Sequence, residues 1–149
     1  MCFGRRLRLF WDTSRVTKRQ FPFSPRTSGQ LEQGDIIAVP CEGGRWAGLQ
    51  VVELKREGVG SRSTLIVGSL PWSGAEPPTA RDVEGLPVTE QGLTRIELFT
   101  EGGLQVVANS AVVPTVFASN YQDFAVGTRH RVWGWKTAIR KAIAASDAA

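Results

Sequence analysis

A chain of 149 residues with 42% hydrophobic and 21% charged residues has the length and composition of one ordinary globular domain, able to bury about 70% of its unfolded surface without a disulfide staple. Two cysteines, Cys2 and Cys41, at no recognisable spacing exclude a disulfide framework and a zinc site. The net charge of +4 is unevenly carried: up to Arg26, seven basic residues (Arg5, Arg6, Arg8, Arg15, Lys18, Arg19, Arg26) face Asp12 alone, a net +6, while eleven basic and thirteen acidic residues leave the remainder at −2.

Residues 1–30 read as a basic extension, disordered or loosely docked, ahead of a single β-rich domain over 31–149. Pro22, Ser24, Pro25, Ser28 and Gly29 punctuate the join, and Phe21 and Phe23 flank Pro22 where they can dock on a core. No apolar h-region of roughly 7–15 residues follows the first arginines. No apolar run approaches ~18 residues, so no membrane partner is expected. With so few cysteines, the expected location is cytoplasmic.

"DIIAVP" is β-branched and reads as a buried strand; "CEGGR" turns the chain with paired glycines. "RWAGLQVVEL" is the next strand, with Trp46, Gly48, Gln50, Val52 and Leu54 on one face and Ala47, Leu49, Val51 and Glu53 on the other. Gly48 inside it predicts a bulge or bend. "KREGVGSR" is a charged loop and "STLIVGSL" a third strand. In "PWSGAEPPTARDVEGLPV", two prolines precede Thr79, which is placed to cap a short helix near 79–85; Asp82 and Glu84 suit its N-terminal end, and Gly85 stops it. "LTRIELFT", "EGG" and "LQVVANSAVV" read as a second strand–glycine–strand hairpin. "WKTAIRKAIAAS" predicts a C-terminal helix near 135–146, with Trp135, Ile139, Ala142 and Ile143 on its inner face. The expected fold is mainly β (α+β): a small, strongly bent antiparallel sheet or SH3-like half-barrel with these two helices.

Catalytic chemistry is hard to assemble from these residues, and no enzyme activity and no cofactor are expected. His130, the single histidine, sits in "TRHRVWG" with no acid–base partner at a recognisable spacing. Asp82 with Glu84, or Glu97 with Glu101, offer oxygen ligands, but charged turn residues facing solvent explain them. "GWKT" lacks the upstream glycines of a phosphate loop. Trp46, Trp133 and Trp135 read as core or helix anchors. Trp72, in "LPWSG", is either a cap on the core or a binding hot spot.

"GDIIAVP", "EGGRWAGLQVV" and "LPWSGAEPPTARDVEG", in that order, resemble the immunity protein 26 family of bacterial polymorphic-toxin systems, over roughly residues 31–85. Gly34, Asp35, Ala38, Pro40 and Gly48 match the pattern and are architectural. The resemblance implies a protein that binds a cognate toxin and blocks it, with no catalytic residues. On that reading Trp72, Arg81, Asp82 and Glu84, on a proline-stiffened segment, are the candidate partner-binding residues. Two alternatives stand beside it. "GDIIAVP" followed by "RSTLIVGS" is similar to ribonuclease toxins of the MazF type, which makes Arg62 with Ser63 or Thr64 catalytic candidates. A small nucleic-acid-binding barrel would use Trp46 and Trp72 to stack on bases; the near-neutral body leaves nucleic acid unexpected except through the basic leader.

Overall fold

The computed structural model describes residues 19–115 and 131–149. Its centre is a five-stranded antiparallel sheet of β1 (Asp35–Pro40), β2 (Trp46–Glu53), β3 (Thr64–Ser69), β4 (Glu90–Arg95) and β5 (Gln105–Asn109), in the order β4-β3-β2-β1-β5. Short helices α1 (Ala80–Val83) and α2 (Glu97–Thr100) lie between strands, and α3 (Trp135–Asp147) closes the chain. The fold is α+β and mainly β. His130, Cys2 and Trp11 fall outside the described residues.

Both faces of the sheet are covered, so its central strands are apolar on both sides. Ile37, Val39, Ala47, Leu49, Val51, Leu65 and Val67 point to one face, where α3 brings Ala138 and Ala142 and α2 brings Leu98 and Phe99. Ile36 and Ala108 point to the other, covered by the crossover through residues 70–88, which contributes Leu70, Val83 and Val88. The α3 helix runs along β2, β3 and β4. Its thirteen residues, roughly 20 Å at 1.5 Å each, match the breadth of several strands.

Gly48 does not bulge β2. It pairs in register with Ala38; a Cβ there would come 3.3 Å from Leu70 and 3.7 Å from Pro78, so the missing side chain makes room for the crossover. The extra residue in β2 is Val52, between the Val51–Val67 and Glu53–Ile66 pairs. This bulge moves Leu54 from the face that strict alternation assigns it to the face of Ala47, Leu49 and Val51. A second bulge in β5 leaves Val107 unopposed between the Ile36–Ala108 and Ile37–Val106 pairs.

The second hairpin expected over 93–113 is not formed. β4 and β5 occupy opposite edges of the sheet. The ladder ends where the Ile96 N–H donates to Ser63 O (2.8 Å), and the chain turns into α2, with Phe99 N–H donating to Ile96 O and Glu101 N–H to Glu97 O (both 2.9 Å). Ile96 and Phe99, three apart, suit one helical turn that buries Leu98 and Phe99 better than a strand does. Gly103, at φ 72°, lets the chain leave that turn.

Residues 19–30 are bound to the body. Phe23 and Val106 form an isolated antiparallel bridge, Ser24 Oγ donates to Leu104 O (2.9 Å), and Ser28 N–H donates to Arg62 O (2.9 Å). Arg19 clamps Asp35, a fully buried carboxylate that also accepts from Asn109 Nδ2 and from the Glu32 N–H (both 2.9 Å). The same guanidinium lies 5.4 Å from the Phe21 ring centroid and 5.1 Å from that of Phe23. Its pKa is held above the ordinary arginine value by the hydrogen bond to Asp35, against the opposing effect of burial.

Candidate partner-binding surface

The segment carrying the candidate residues starts from a fixed root. Trp46 N–H donates to Gly74 O (2.8 Å) and Gly74 N–H to Trp46 O (3.2 Å), so the chain after β3 is stitched to the start of β2. Arg45 reinforces the stitch, reaching Ser73 Oγ (2.6 Å) with one nitrogen and Asp147 of α3 (2.8 Å) with another. Trp72 lies within this root. It is half-buried against the second-face cluster, and its indole lies so close to Gly74 that a Cβ there would sit 2.5 Å from the ring. It packs as a cap on the core.

Beyond Pro77 and the buried Pro78, Thr79 caps α1. Its Oγ1 accepts from the Asp82 N–H (3.2 Å), and the Asp82 carboxylate accepts in return from the Thr79 N–H (3.0 Å). Asp82 is therefore committed to its own backbone. Arg81 and Glu84 are exposed, while Val83 is buried in the second-face cluster and anchors the turn. Thr79→Ala removes one half of the reciprocal cap. It is expected to cost about 1 kcal/mol, read as a lowered denaturant midpoint with an unchanged slope, and to speed hydrogen exchange at the Asp82 amide.

Arg81 and Glu84 stand on one wall of an open groove of about 500 Å³. Ala80 and Gly85 complete that wall; residues 109–114, including Val112, Val113 and Pro114, form the other. The second wall is held from beneath. The buried Gln50 donates from Nε2 to Ser110 O (2.8 Å), and Ser110 N–H donates to Gly34 O (3.0 Å). Asn109 is tied to Asp35 and to Gln33 O (3.0 Å). The structure thus brings Arg81 and Glu84 together on the groove, spends Asp82 on the cap and places Trp72 in the packing behind. Sequence reading missed residues 109–114, whose place opposite α1 depends on β5 joining β1.

The ribonuclease candidates part company. Arg62 lines a polar cleft, whereas Thr64 lines an apolar one with Leu93, Trp133 and Trp135, and its hydroxyl donates to Gly60 O (2.7 Å). Among the described residues no group of three or more His, Cys, Asp or Glu side chains forms a metal-ligand set, and no helix is long and apolar enough to cross a membrane.

Comparison of the chain with protein-family models, with curated proteins and with solved structures finds no match.

Proposed function

We propose that this protein is an immunity protein that binds and neutralises a cognate bacterial toxin domain in the cytoplasm, with the groove between α1 and residues 109–114 as its contact surface. The observation that supports this reading best is the construction of the groove. Its walls are braced by a reciprocal helix cap on one side and by bonds from Gln50, Gly34 and Asp35 on the other, while Arg81 and Glu84 stand free at the solvent edge. A braced surface loses little conformational freedom on association, and exposed charges of both signs set orientation and exclude wrong partners. Apolar residues Val112 and Val113 supply area for burial between them.

The test is co-expression with any toxin domain whose reading frame adjoins this gene. That domain alone arrests growth; the wild-type chain restores growth and co-purifies with it. Reversing both charges, with Arg81→Glu and Glu84→Arg, weakens the complex by tenfold or more, about 1.4 kcal/mol, while thermal stability is unchanged. Trp72→Ala acts differently, lowering stability as well as binding, because its ring is part of the packing. RNA cleavage by the purified chain that disappears with Arg62→Ala would instead establish the ribonuclease reading.

A further inference from the structure

We infer that an extended segment of the toxin domain binds by strand addition, pairing its main chain with residues 111–113 where the chain runs on past β5. The inference rests on the toxin-binding reading and deepens it, since residues 109–114 form one wall of the proposed contact groove. The two edges of the sheet are finished differently. The β4 edge is covered: Leu93 N–H donates to Arg131 O (2.7 Å), Trp133 N–H donates to Leu93 O (2.8 Å), and Glu90 and Arg95 place charge on the strand. The β5 edge is guarded only in its middle, where Phe23 N–H donates to Val106 O (3.0 Å), Val106 N–H donates to Phe23 O (2.8 Å), and the bulge at Val107 follows. Beyond these guards no charge protects it. From Leu104 to Pro114 there is no charged residue, and Val106, Val107, Val112 and Val113 are β-branched. Natural sheets blunt a free edge with charge, proline, a bulge or a cover; residues 111–113 have none of these before Pro114 ends the stretch.

The main chain here names the occupant. From Ser110 to Pro114 the chain makes no turn or bend, and Pro114 holds Val113 out of the helical region. Ser110 is fixed at both main-chain groups: its N–H donates to Gly34 O (3.0 Å), just ahead of β1, and its carbonyl accepts from Gln50 Nε2 (2.8 Å). After it, Ala111, Val112 and Val113 make no hydrogen bond among the described residues. The N–H and C=O of a strand residue point to one side, and the side alternates along the strand. Carried on from Ser110, this alternation turns the main-chain groups of Ala111 and Val113 away from β1 and those of Val112 towards it. Outward N–H and C=O groups on two residues with one between them fit the alternating donors and acceptors of another strand; side chains of alanine and valine offer a ligand no hydrogen bond of their own. The added strand's groove-side residues would lie towards Arg81 and Glu84, which favours a segment carrying charges of both signs about an apolar residue.

The test uses the full chain, isotope-labelled, alone and with the toxin domain whose reading frame adjoins the gene. Residue-resolved amide exchange in the complex should slow at Ala111 and Val113 by at least about tenfold, and far less at Val112. Val113→Pro deletes one outward N–H and keeps the apolar bulk; it should weaken the complex about tenfold, because a carbonyl of the partner is left unanswered. Val112→Pro, which deletes an N–H facing the other way, should change affinity little. If Val113→Pro also lowers the melting temperature, the alternating exchange pattern of the wild-type chain decides alone. A complex that keeps wild-type affinity in both proline variants and leaves Ala111 and Val113 unprotected would overturn strand addition, while the toxin-binding reading stands on side-chain contacts. Absence of any complex with the wild-type chain removes that reading, and this inference with it. A dimer of the chain alone that Val113→Pro dissociates, seen by sedimentation, would also overturn it, in favour of a second copy on this edge.

Discussion

Asp35→Ala is expected to destabilise the protein by about 3–5 kcal/mol. The carboxylate is fully buried and answers three donors at once: the Arg19 guanidinium, the Asn109 amide and the Glu32 N–H. Its loss leaves a guanidinium of 16% side-chain exposure with only the exposed Glu32 carboxylate, 3.3 Å away, as counter-charge, and strands the other donors. Arg19→Ala, the opposite cut, leaves a buried carboxylate unpaired and should be comparably severe. Urea unfolding of the two single variants and of the double variant measures the coupling; additive losses would show that the pair does not act as a unit. The alkaline side gives an independent check. Because Arg19 has its pKa raised in the fold, its contribution is fully present below the unfolded-state value and is lost only as pH climbs through the higher folded value. The arginine therefore adds no pH dependence of stability across the neutral range.

Gly92→Ala is the second large effect, expected to cost about 1–3 kcal/mol, with Gly92→Val costing more. Gly92 lies in β4 opposite Val67, and the Trp133 indole lies directly over it. A Cβ at this position would fall 2.4–2.6 Å from three ring atoms, so strand or indole must move. The indole has little freedom to do so. Trp133 is 3% exposed, it belongs to the first-face cluster, and its backbone N–H is bonded to Leu93 O (2.8 Å). A thermal melt reads the loss, and near-ultraviolet circular dichroism reads the displaced ring. A wild-type melting temperature in Gly92→Ala would mean that the indole does not rest on this strand.

How far the sequence foretells these features depends on the range of the interactions behind them. Strands β1, β2 and β3 stand out because β-branched runs are bounded by glycine and charged turns. Thr79 followed three residues later by Asp82 marks the α1 cap, and the apolar spacing of Trp135, Ile139, Ala142 and Ile143 marks α3. Periodicity says nothing, however, about which strands become neighbours. The glycine pair after "LTRIELFT" has the grammar of a hairpin, and only the three-residue step from Ile96 to Phe99 hints that a helical turn takes its place. Within the candidate surface, Asp82 looks like a presented charge when its own backbone uses it. Trp72 looks like a free anchor until Gly74 is seen making room for its ring. The Asp35 network spans sixteen residues to Arg19 and seventy-four to Asn109, so neighbouring residues give no notice of it.

The strand order also governs the sequence in which the molecule becomes complete. β1 to β4 follow one another as neighbours, so each joins a strand just made, whereas β5 must return across the whole sheet to reach β1. Closing so long a loop carries a large entropic toll before any reward arrives, and local pairings win the early race. Since the second wall of the groove continues directly from β5, the proposed contact surface is complete only once β5 has joined β1. A molecule whose β5 is still loose has α1 and its cap but no opposite wall, so toxin binding, as proposed, should appear only with the last strand in place.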